Sequence, residues 1–74
     1  MIKLQTKMFD YRRELNMTQA ELAEKVGIRR ETIARLERGQ YNPSLKLAHD
    51  IAHVFGVRIE EVFQFVDVPA LDEK

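Results

Sequence analysis

Residues 19–33, QAELAEKVGIRRETI, set a glycine between two stretches of helical apolar spacing and leave only a few residues to join them. A link so short has no room for a full-length antiparallel hairpin, so the two helices must cross steeply. Where they cross, the backbones approach closely and a bulky side chain would hold them apart. Ala23, four residues after Gln19, falls at that contact. Gly27 supplies the turn at a place suited to positive φ, and Ile33 packs back from the second of the two helices.

The flanking pattern is helical nearly throughout. Leu4, Met8, Tyr11 and Leu15 mark one face of a first helix, which Asn16-Met17 ends. Thr18 and Glu21 form a T-x-x-E capping box that opens the second helix, with Leu22, Ala23 and Val26 inside. The third runs from Arg29 or Arg30 to Arg38 and stops at Gly39. Pro43 makes Gln40–Pro43 a turn. Ser44 caps a fourth helix with Leu45, Ala48, Ile51, Ala52 and Phe55 inward, ended by Gly56. Ile59, Val62 and Phe63 mark a short fifth. QFVDV alternates briefly and allows a short terminal strand. The expectation is an all-α fold of five short helices around one core, a single domain over residues 1–68 with the two crossing helices at about 18–38. Residues 69–74 form a loosely ordered tail.

Composition narrows the function. Cysteine is absent, which removes disulfides and thiolate metal sites and fits a reducing, cytoplasmic setting. The opening MIKLQTKMFDYRRE has no uninterrupted apolar run, so no signal peptide is expected, and no apolar run in the sequence approaches the length of a membrane span. Twelve basic residues balance twelve acidic ones, but unevenly. Residues 1–46 hold ten basic and six acidic side chains, and residues 47–74 hold two and six. A polyanion suits the first half better than the second. His49 and His53, at i and i+4, have no evident third ligand. Ser44 is accounted for as a helix cap. No enzyme, metal or cofactor is therefore expected.

The runs TQAELAEKVGIRRETIARLERGQYNPSL and LAHDIAHVFGVRIEEVF resemble the phage-repressor/Cro-type helix-turn-helix family, the xenobiotic-response-element group of transcriptional regulators. The likeness spans residues 4–63 and rests on T-Q-x-E-L-A, the central glycine, I-x-x-L-E-x-G and N-P-S-L. It implies a lambda-repressor-like DNA-binding domain. This sequence departs from the family at Arg29, where Ser or Thr usually caps the third helix.

A helical wheel sorts that third helix without the family. At roughly 100° per residue, Ile33 and Leu36 point inward and Glu31, Ala34, Arg35 and Arg38 outward, with Arg30 flanking in the first turn. Arginine bonds bidentately to guanine O6 and N7, and Glu accepts from cytosine N4. The expected base-reading set is Arg29, Arg30, Glu31, Ala34 and Arg35. Glu31 and Arg35 also stand at i and i+4, which taken alone suits an ordinary surface pair; within the motif, DNA contact is the expectation. Thr18 and Gln19, where helix-start amides favour an anion, and Arg38, Tyr41, Asn42 and Lys46 are expected at phosphates. Glu37 falls beside the buried face, as does Arg12 on the first helix. A carboxylate there wants a partner, so the two are expected to form a structural ion pair.

The partner expected is double-stranded DNA, a palindromic operator bound by a homodimer. Ile59, Val62, Phe63, Phe65 and Val66 exceed what one small core needs and are the expected dimer contact. MIKL is a candidate to pair as a strand at that contact. The alternative is a role through a protein partner, since the resembled family includes antitoxins, which neutralise a toxin, and transcription adaptors.

Overall fold

The computed structural model describes residues 1–68; the tail expected at 69–74 lies outside them. In order, the elements are β1 (Ile2–Thr6), α1 (Met8–Glu14), α2 (Gln19–Val26), α3 (Arg30–Glu37), α4 (Leu45–Phe55), α5 (Ile59–Val62) and β2 (Phe63–Asp67).

The chain is mainly helical, not all-α. β1 and β2 pair antiparallel, with Ile2 opposite Asp67, Leu4 opposite Phe65 and Thr6 opposite Phe63. Leu4 therefore belongs to a strand and not to the first helix. Its spacing to Met8 fits a helix, but IKLQT also alternates with period two, and only the distant FQFVD supplies the partner that decides between them. MIKL thus pairs within its own chain. Phe63 opens β2 and does not extend α5.

Local chemistry explains where the helices begin and end. Asn16, after α1, is the one non-glycine residue with positive φ among those described, at 53°; its short polar side chain tolerates that conformation. The Thr18 hydroxyl accepts from the Glu21 amide at 3.0 Å while the Glu21 carboxylate accepts from the Thr18 amide at 2.8 Å. Gly27 closes α2 at φ 75°. Arg29 is extended at the start of α3 and makes no side-chain cap. The Ser44 hydroxyl accepts from the Leu47 amide at 3.1 Å and starts α4.

Met8, Leu22, Ile33, Leu36, Ile51 and Val62 are fully enclosed, with Leu4, Ala23, Ala48, Ala52 and Phe63 completing the core. Each large member contributes roughly 1.5–3 kcal/mol through burial. Ala23 is 4% exposed where α2 meets α3. Leu45 departs from expectation: it is 78% exposed. It is the first residue of α4, and Leu47, two residues on in the same turn, packs against the core instead. Leu15, half exposed at the end of α1, departs similarly.

Candidate nucleic-acid interface

α3 has two chemically distinct sides. Ile33 and Leu36 are sealed in the core, while Arg30, Glu31, Arg35 and Arg38 are exposed and Ala34 is half-buried. Arg29, extended at the cap, is exposed at the same end. The structure thus brings the five expected base-reading residues to one outward-facing stretch.

Behind this stretch lies a chain of hydrogen bonds that the sequence only half reveals. Arg12 Nε donates to Glu37 Oε2 at 2.6 Å and Nη2 to Oε1 at 3.1 Å, with side-chain exposures of 11% and 9%. Arg12 Nη1 donates to the Met17 carbonyl at 2.9 Å, and its guanidinium carbon lies 5.5 Å from the Phe9 ring centre. The two-point geometry ties α1 to α3 and fills most donor and acceptor sites, as a partly dehydrated pair requires. Gln19 Nε2 also donates to Glu37 Oε1, at 3.1 Å, and Gln19 Oε1 accepts from Arg30 Nη1 at 3.3 Å. Because Glu37 accepts only, it fixes which end of the Gln19 amide points outward. That bridging role had no sequence signal, since Gln19 and Glu37 are 18 residues apart.

The flanking residues are arranged less uniformly. Gln19 and Thr18 border an open groove that also includes Arg13 and Arg30. The Thr18 oxygen is occupied as a cap acceptor, leaving its proton to donate. Arg38 Nε donates to Gln40 Oε1 at 3.3 Å. Arg35 lies over the Tyr41 ring, 5.9 Å to its centre; among the described residues it forms no ion pair with Glu31. Asn42 is exposed. Lys46 donates to Asp50 Oδ2 at 2.7 Å and holds that carboxyl below its ordinary pKa; its exposed ammonium keeps two further donors.

Of the expected dimer residues, Val62 and Phe63 lie in the chain's own core and have no face left for a partner. Ile59 and Val66 are half-buried and Phe65 is 64% exposed. His49 and His53 stack at 6.0 Å between ring centres on the outside of α4; no group of three metal-ligating side chains occurs among the described residues. Among them no helix is long and apolar enough to cross a membrane.

Two short helices crossing at a left-handed glycine, the second carrying an arginine-rich outer face, define a helix-turn-helix module. A helix-turn-helix family model matches residues 9–62, and the chain belongs to this Cro/C1-type family. The family is one of transcriptional regulators, not of enzymes. An uncharacterized HTH-type transcriptional regulator of Archaeoglobus fulgidus is 56% identical over 62 residues, covering 84% of this chain and 87% of that one. The immunity repressor of Bacillus phage phi105 is 37% identical over 51 residues, covering 69% of this chain and 35% of the repressor. Among solved structures, a protein from Bacteroides fragilis has the same fold, with a TM-score of 0.73 at 23% identity, covering 82% of this chain and 98% of that one.

Proposed function

We propose that this chain is a transcriptional repressor that binds a palindromic DNA operator as a homodimer and reads the major groove with α3. The observation that carries the reading is the outward stretch of α3. Three arginines and a glutamate stand opposite a sealed core face, and the Glu31–Arg35 pair of an ordinary surface helix is not formed among the described residues. Arg30 and Arg35 are the guanine readers, Glu31 faces a cytosine amine, and Ala34 meets a thymine methyl. Arg29 is a further reader at the helix start. Thr18 and Gln19 at the start of α2, and Arg38, Tyr41, Asn42 and Lys46 beyond α3, take backbone phosphates and fix the register. The likeness to a phage immunity repressor favours repression.

Selection of bound duplexes from a random pool tests this. The parent chain enriches a two-fold symmetric sequence with half-sites about one helical turn apart. Arg30→Ala and Arg35→Ala each lose preference at particular base pairs, by about 1–3 kcal/mol per pair. A uniform loss across sequences with a shallower salt slope would make them phosphate contacts instead.

A further inference from the structure

Lys3 and Lys7 lie outside the proposed set of DNA-contacting residues. Both line a groove between β1 and the end of α3, lined also by Gln5, Arg38, Gly39 and Gln64. Only a residue without a Cβ fits at Gly39, because a Cβ there would stand 2.9 Å from the Leu4 carbonyl oxygen. The sheet is thus in backbone contact with the turn that ends α3. Lys3 and Gln5 lie opposite Val66 and Gln64, so these four share the side of the sheet away from Leu4.

The charge of this groove is unbalanced. Its carboxylate, Glu37, is already engaged two-point by Arg12. Arg38 bonds a neutral amide, and neither lysine forms an ion pair among the described residues. Among the described residues, three cations therefore share one groove with no free anion, and a polyanion is the ligand that relieves their repulsion. Arg38 already belongs to the proposed DNA surface, so the groove continues that surface from α3 onto the sheet.

We infer that the terminal sheet is a second DNA-contacting element, in which Lys3 and Lys7 neutralise backbone phosphates beside the segment that α3 reads. This rests on the DNA-binding reading above. The contacts are to phosphate and carry no sequence information. They add reach and salt dependence.

The test is the affinity of the full chain for its selected duplex, measured across salt concentrations. Removing two phosphate contacts in a Lys3→Ala/Lys7→Ala variant lowers the slope of log affinity against log salt by about 1.8. Between about 50 and about 200 mM salt, the parent then loses about tenfold more affinity than the variant. Base preference is unchanged, and Lys3→Arg/Lys7→Arg restores the slope. Lys25→Ala, in a separate groove beside Leu15 and Glu24, is the control and leaves the slope as in the parent. If the parent binds no duplex, the DNA-binding reading and the sheet contact fall together. If it binds and the double alanine variant keeps the parent slope, only the sheet contact falls, as it also does if both lysines are needed for an acidic protein partner instead.

Discussion

Glu37 shows how one residue can serve stability and recognition through the same two oxygens. Its Oε2 and Oε1 hold Arg12 on α1, while Oε1 also takes the Gln19 amide that in turn holds Arg30. Removing one partner leaves a dehydrated charge unpaired, a far larger loss than that of an exposed surface pair. Arg12→Ala is expected to destabilise the fold by roughly 3 kcal/mol. The Arg12→Met/Glu37→Leu double variant should cost much less than the two single changes summed, with a coupling above about 1 kcal/mol in chemical denaturation. Near-additive effects would mean the pair is not the lock between α1 and α3. The pairing of Arg12 with Glu37 was legible because each falls at a core edge on its own helix. The link to Gln19 was not, because a wheel places residues on faces but says nothing of which side chain from another helix meets them.

At the scale of elements, glycines that look alike in sequence carry different demands. Gly27 and Gly39 both follow helices and both have positive φ, 75° and 72°. An added Cβ at Gly27 meets nothing within 4 Å, whereas at Gly39 it meets the Leu4 carbonyl oxygen at 2.9 Å. Gly27→Ala should therefore cost about 1 kcal/mol of backbone strain alone. Gly39→Ala adds a clash with main chain that cannot swing aside, and its melting temperature should fall at least 4 °C below that of Gly27→Ala, about what a further 1 kcal/mol does in so small a domain. Equal melting temperatures would show that the sheet does not press on this turn. The helix starts at Thr18 and Ser44 and the stops at Gly27 and Gly56 were readable from local chemistry, since a cap is satisfied within three or four residues. The sheet was only glimpsed. QFVDV shows its alternation, but β1 and β2 find each other across the whole chain, and Leu4 fitted a helix equally well until that partner was known.

For the whole molecule, the two faces of the sheet carry unlike surfaces. One side offers Lys3 and Gln5; the other sets Ile2 and Phe65, each 64% exposed, near each other on the same side as Leu4. Exposed apolar side chains this large, on a chain whose proposed target is two-fold symmetric, suit a second copy of the chain. Because Val62 and Phe63 are needed inside the monomer, truncating after Val62 would remove part of the core and could not isolate an interface. Phe65→Lys is the cleaner probe: the side chain is outside the core, so monomer stability should change by less than about 0.5 kcal/mol. A charge placed at the centre of an apolar contact should nevertheless weaken the dimer by at least about tenfold in sedimentation equilibrium, an energetic loss of about 1.4 kcal/mol. The same variant should then bind a palindrome hardly better than a single half-site, because the second α3 no longer arrives with the first. If Phe65→Lys sediments as the parent does and keeps its preference for the full palindrome, the two-fold contact lies elsewhere, and the exposed start of α4 at Leu45 is the next surface to substitute.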